Sequence, residues 1–161
     1  LLILGEGPEK LRLEQSGCPR WLHLAGFCTE VRAHFASADL GLLPSWFDGE
    51  SHPLALLECL SVGRPFLTTD IGDTREMLTT TEGLAGTVLP LRDGRLDVAD
   101  LAEAIAAYAC EDGLLARHTA RAQGACGDSD SDSFLQAHEE LYRRALGQTG
   151  QGSAAGVPAP K

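Results

Sequence analysis

Glu50 and Glu58 stand eight residues apart in the segment Pro44-Ser45-Trp46-Phe47-Asp48-Gly49-Glu50-Ser51-His52-Pro53-Leu54-Ala55-Leu56-Leu57-Glu58. A carboxylate only accepts hydrogen bonds, which suits it to gripping vicinal hydroxyls. Glu50 falls in a loop, and Glu58 on the helix that follows, among Leu54, Leu56, Leu57 and Leu60. An inward-facing Glu would be anomalous there, because carboxylates are almost never fully buried unless paired. Ser51 or His52 is expected to cap the helix, and Pro53 suits its first turn. The free amides of that turn form an anion site, reinforced by the helix dipole. Glu58 lies roughly 7.5 Å along the axis, and its side chain leans back toward the helix start. This combination fits a nucleotide sugar, with pyrophosphate at the helix tip, ribose on one Glu and hexose on the other. The plain alternative for Glu58 is an amphipathic helix with one solvent-facing acid.

The elements that must position these groups follow from hydrophobic patterning. Leu1-Leu2-Ile3-Leu4 is a short apolar run stopped by Gly5-Glu6-Gly7-Pro8, and reads as a buried strand. A short helix follows over residues 8–16, then a strand at Trp21-Leu22-His23-Leu24-Ala25, ended by Gly26. Thr29 is the expected N-cap of a helix over 30–37. Leu40-Gly41-Leu42-Leu43 and Phe66-Leu67-Thr68-Thr69 are the third and fourth strands, with a helix from Pro53 to about Val62 between them. A short helix after the 70–74 loop leads to a weaker fifth strand, Thr87-Val88-Leu89. The remainder is helical: from Asp97, over 113–122, and a last amphipathic helix through Phe134, Leu141 and Leu146. The run Asp128-Ser129-Asp130-Ser131-Asp132-Ser133 offers D-x-D spacing but reads as a solvated loop. The domain is expected to span 1–146, with 147–161 a disordered low-complexity tail.

Strands alternating with helices mean βαβ units and an open parallel sheet, Rossmann-like, with helices on both faces. Ligands bind such sheets at the carboxyl ends of the strands. That edge carries Gly5 and Gly7, then Gly26-Phe27, then residues 44–52, then 70–73. Each glycine alone is better explained by a tight turn, and Gly5-x-Gly7 lacks the third glycine of the dinucleotide fingerprint.

Composition narrows the classes. Among 161 residues, Lys+Arg number 13 against 23 Asp+Glu, a formal charge of −10. Such a chain repels nucleic acid and anionic membranes, so any phosphate must be held by backbone amides and helix ends. No apolar run approaches the roughly 20 residues needed to cross a bilayer. Five cysteines with no C-x-x-C pair argue for reduced structural thiols in a cytosolic protein, and against a disulfide framework or zinc ribbon. The chain opens without Met inside a strand, as a piece of a longer protein would.

Glu50-x7-Glu58, followed by Cys59-Leu60-Ser61-Val62-Gly63-Arg64-Pro65-Phe66-Leu67-Thr68-Thr69-Asp70-Ile71-Gly72-Asp73, resembles the donor-site signature of retaining glycosyltransferases of family 4, the glycosyl transferases group 1. Residues 1–8, Leu24-Ala25-Gly26-Phe27 and the run from Ala38 to Ser45 are similar in the same order, so the resemblance covers about 1–145. It implies the C-terminal half of a GT-B fold, lacking its first strand and helix. It also implies an N-terminal domain elsewhere that carries the acceptor site, and a basic Arg/Lys diphosphate clamp in the absent stretch. Arg75 reads instead as a surface ion pair, and Arg64 belongs at the opposite end of the sheet.

By position, the resemblance assigns Glu50 to the sugar hydroxyls as the catalytic-site acid and Glu58 to the ribose. Ser51, His52 and Leu54 would lie at sugar and phosphate, with Leu54 the best placed for phosphate. Gly5, Gly7 and Phe27 would border the base. Ser51 stands where the family usually has Gly, and His52 where an aromatic is common. His52 is read as positional or hydrogen-bonding rather than as a catalytic base. The implied activity is retaining, metal-independent hexosyl transfer from a UDP- or GDP-linked sugar to a glycan, polysaccharide or lipid hydroxyl. No cofactor or metal is expected, and the isolated chain is expected to be inactive. The expected location is the cytoplasm, including the inner membrane face as a peripheral site. The alternatives are a non-catalytic nucleotide-sugar-binding fragment and a nucleotide-sugar epimerase or phosphorylase of the same architecture.

Overall fold

A computed structural model describes residues 1–125 and 131–147. The chain begins with a βαβ unit: β1 (Leu2–Leu4), α1 (Pro8–Gln15) and β2 (His23–Gly26), the strands pairing in parallel with Ile3 opposite Leu24. Then come α2 (Val31–Ser37), β3 (Gly41–Leu43), α3 (Leu54–Ser61), β4 (Phe66–Thr69) and α4 (Thr74–Leu78). A small antiparallel hairpin, β5 (Thr79–Thr80) with β6 (Gly83–Leu84), precedes β7 (Gly86–Leu89). The helices α5 (Val98–Cys110), α6 (Leu114–Ala125) and α7 (Ser131–Ala145) complete the described chain. Leu1–Cys126 forms one compact unit and Gly127–Lys161 another. In the second, α7 carries i,i+4 ion pairs from Arg143 to Glu139 and from Arg144 to Glu140.

The core is built on the parallel sheet β3-β4-β7. All four residues of β4 are buried, as a central strand covered on both faces requires. Successive side chains alternate between faces. Phe66 packs with Leu56, Cys59 and Leu60 of α3, Leu78 of α4 and Ala122 of α6. Leu67 packs with Leu89 of β7 and Tyr108 of α5, flanked by Leu101 and Leu114. The layers are therefore helix, sheet, helix.

Phe66 sits in register between Gly41 on β3 and Gly86 on β7. A Cβ on Gly41 would overlap the Phe66 ring and stand 2.6 Å from Cys59 Sγ, and one on Gly86 would strike the Phe66 backbone, 2.9 Å from its carbonyl carbon. Two glycines thus make room for one aromatic ring and for its strand.

Several expectations are corrected. The parallel strands form two sheets, β1-β2 and β3-β4-β7, rather than one. A doubly wound sheet ordered 3-2-1-4-5-6 divides in this way when its first strand is left out, because that strand joins the halves. For the same reason β1 is not buried: Leu2 is 43% and Ile3 38% exposed. The N-cap of α2 is Glu30, not Thr29, without a side-chain cap bond. Ser131-Asp132-Ser133 belongs to α7 rather than to a loop, since acid near a helix N-terminus complements the dipole. Residues 126–130, which include Asp128 and Asp130, and 148–161, which hold nearly all of the expected tail, lie outside the described residues.

Candidate functional site

Because β3 and β4 run parallel, the 44–53 loop after β3 and the 70–73 turn after β4 leave from the same sheet edge. The strand ends are tied together there. Thr68 Oγ1 donates to the Leu43 carbonyl at 3.0 Å, and Thr69 Oγ1 to the Ser45 carbonyl. Within the first loop the Glu50 N–H donates to the Phe47 carbonyl at 2.9 Å, closing a turn that presents Glu50.

The second turn clasps the first. The Asp73 N–H donates to the Ser51 carbonyl at 2.8 Å, and His52 Nδ1 lies 3.3 Å from Asp73 Oδ2. Gly72 has φ +46°, and a Cβ on it would collide with the carbonyl oxygens of Glu50 and Ser51. The turn is fixed from below by fully buried Thr74, whose Oγ1 lies 2.8 Å from the Thr69 and Ile71 carbonyl oxygens.

Helix α3 starts without the side-chain cap expected from Ser51 or His52. Its N-cap is Pro53, at φ −66° and ψ 114°. The proline ring imposes that φ, and the Pro53 carbonyl accepts the Leu56 and Leu57 amides at 3.1 and 3.4 Å. The Leu54 and Ala55 amides find no acceptor among the described residues, and the first turn of α3 has no acid of its own. Unsatisfied N–H groups at the positive end of a helix dipole attract an anion. Glu50 and Glu58 flank them in sequence, both half-buried, and neither carboxylate has a hydrogen bond or ion pair among the described residues.

The glycines of the first βαβ unit form a second group. Gly5, at φ +126°, donates its N–H to the Gly26 carbonyl at 2.7 Å. Phe27, 77% exposed, donates its N–H to Glu6 Oε1 at 3.2 Å. Lys10, 2.9 Å from that carboxylate, holds the Glu6 pKa below its ordinary value, aided by the Phe27 amide. Gly5 and Gly7 also line a cleft of about 200 Å³ with Ile3, Leu4, Leu13 and Leu24. None of its lining comes from the Glu50–Glu58 segment. The structure therefore brings Ser51 and His52 against Gly72 and Asp73, and Gly5 against the Phe27 loop. No hydrogen bond or ion pair among the described residues joins the two groups.

Two arginines at opposite ends of β4 are both engaged. Arg75 pairs with Asp70 at 2.6 Å, which raises its pKa further, and Arg64, before β4 at the far end, donates to the Ala36 carbonyl at 2.7 Å. No cluster of three metal-ligating side chains occurs among the described residues, and no described helix is long and apolar enough to cross a membrane. Asp73 and Glu6 have structural roles that the sequence did not reveal, since each acts on a partner 21 residues away.

Known proteins share this fold. An exopolysaccharide phosphotransferase of Streptomyces coelicolor is 32% identical over 150 residues, covering 88% of this chain but only 15% of its own length. Among solved structures, Anabaena HepE in complex with UDP-glucose superposes with a TM-score of 0.70 at 17% identity, over 89% of this chain and 40% of HepE. Sucrose-phosphate synthase of Thermosynechococcus elongatus superposes with a TM-score of 0.67 at 18% identity, over 92% and 39% of the two chains. These structures share the GT-B glycosyltransferase architecture, of which this chain is a part. The family model for glycosyl transferases group 1 matches residues 1–110. The chain belongs to the glycosyl transferases group 1 family.

Proposed function

We propose that this chain is the donor-binding part of a retaining, metal-independent glycosyltransferase of family 4, acting within a longer protein. The observation that carries the reading is the start of α3: two unpartnered amides, Leu54 and Ala55, between two half-buried, unpartnered carboxylates, Glu50 and Glu58. In this reading the amides hold the donor diphosphate, Glu58 accepts from the ribose hydroxyls, and Glu50 accepts from the hexose. Gly5, Gly7 and Phe27 border the base. A UDP- or GDP-linked hexose is the donor, no cofactor is needed, and a glycan, polysaccharide or lipid hydroxyl is the acceptor, bound by the rest of the protein.

The chemistry asks for charge stabilisation and positioning rather than a protein base on this part of the chain. The diphosphate departs as the acceptor hydroxyl attacks the same face of the sugar. The acceptor proton passes to the leaving phosphate. Preorganised N–H groups at the helix tip stabilise the negative charge that develops there. Arg75, the cation that follows the 70–73 turn, is paired with Asp70 and so is not free for this role.

Calorimetric titration with UDP, GDP and ADP, and with a sugar conjugate of each, tests the reading. One of the diphosphates is expected to bind, and Glu58→Ala to weaken it by roughly 1–3 kcal/mol, as lost hydrogen bonds to a charged group do. Absence of binding by every nucleotide, or an indifferent Glu58→Ala, would refute it.

A further inference from the structure

We propose that Gly72 and Asp73 are positioning residues for the donor loop, and that Asp73 makes His52 a hydrogen-bond acceptor for a hydroxyl of the donor sugar. This rests on the donor-site reading above and adds to it a specificity device. Three observations carry it. Gly72 approaches the Glu50 and Ser51 carbonyls more closely than any side chain permits. The Asp73 amide holds the Ser51 carbonyl at 2.8 Å. The Asp73 carboxylate lies 3.3 Å from His52 Nδ1.

A carboxylate can only accept, so His52 Nδ1 must carry the proton in that pair. In a neutral imidazole the other nitrogen, Nε2, is then an acceptor. Nε2 has no partner among the described residues, and the His52 side chain is 52% exposed, two residues from Glu50 in the same loop. The groups that ligand hydroxyls meet here are thus acceptors: the Glu50 carboxylate and His52 Nε2. A hydroxyl-rich ligand supplies the complementary donors, whereas a bare diphosphate supplies none. Asp73 itself touches no ligand; it acts through His52 and Ser51.

The experiment has two readouts on the full 161-residue chain. Nitrogen chemical shifts of the His52 ring report the tautomer. The Nδ1–H form is expected in the unmodified chain and in Asp73→Asn, whose side-chain oxygen still accepts, and a mixture of forms in Asp73→Ala. The second readout is the ratio of affinities for UDP-glucose and UDP, or for GDP-mannose and GDP, by calorimetry. Asp73→Ala and His52→Phe should each lower that ratio about fivefold, the effect of one net hydrogen bond, and the double variant no further. Asp73→Asn should restore it. An Nε2–H tautomer in the unmodified chain, a ratio untouched by Asp73→Ala, or additive losses in the double variant would overturn the proposal. If the unmodified chain binds no nucleotide at all, the donor-site reading falls, and this inference with it.

Discussion

The Tyr108 hydroxyl and His118 Nδ1 lie 2.7 Å apart, joining α5 to α6 within the sheet's helical cover. Tyr108 also meets Thr87 Oγ1 on β7 at 3.1 Å, so one buried phenol links both helices to the sheet. Burial pushes the His118 pKa below its ordinary 6.5, and the nearby Arg121 and Arg117 add to the effect. The unfolded chain therefore binds more protons than the folded one just below pH 6.5. Stability is full above that pH and falls as pH drops through it, until the folded-state pKa is reached. Melting temperatures measured from pH 7.5 to about 5.5 should fall on this limb, and His118→Gln should flatten it.

The Gly41–Phe66–Gly86 row gives a pair of contrasting expectations. Gly41→Ala and Gly86→Ala should each destabilise by about 1–3 kcal/mol or more, through overpacking. The Gly41 clash is with the Phe66 ring, so Phe66→Leu should relieve part of it. The Gly86 clash is with the Phe66 backbone, so the same change should give no relief. Two denaturation cycles with shared Phe66→Leu read this difference as a coupling energy.

Much of this layout is legible in the chain itself. Phe66-Leu67-Thr68-Thr69 is apolar and β-branched enough to declare a strand, and the Gly and Pro residues around it mark its ends; that it is the central one shows only in the pairing. The Glu50–Glu58 spacing is legible because a proline fixes where the helix between them starts. Other features depend on partners distant in sequence. Ile3 has the composition of a buried residue yet stands exposed, because burial is a property of what covers a strand. The Thr79–Thr80 and Gly83–Leu84 strands are too short to carry a period of two. Asp73 looks like any loop acid until His52, 21 residues away, is seen beside it.

Gly72→Ala should act on the site more than on the core. An alanine at φ +46° is strained and would push the Glu50 and Ser51 carbonyls away. A stability loss of about 1–3 kcal/mol is expected, together with weaker nucleotide-sugar binding. Denaturant unfolding and calorimetry on the same preparation would measure both. Unchanged binding alongside the stability loss would separate the turn from the donor loop.

Leu54→Pro removes one of the two free amides while leaving the helix intact. Proline is well accepted at a first helical position, and the residue before it must be extended, as Pro53 already is at ψ 114°. The Leu54 side chain is 69% exposed, so little packing is lost. Stability should stay within about 1 kcal/mol, and nucleoside diphosphate affinity should fall roughly tenfold, the effect of a hydrogen bond to a charged group. Equal affinity for diphosphate in the variant and the parent chain would remove the helix tip from the binding site.

The most direct measurement compares ribo and 2′-deoxyribo forms of the bound nucleoside diphosphate, titrated into the parent chain and into Glu58→Ala. The parent chain should prefer the ribo form several-fold, as one charged hydrogen bond implies, and Glu58→Ala should bind both forms equally. A preference that survives Glu58→Ala unchanged, or a parent chain that binds neither form, would contradict the placing of the ribose on Glu58.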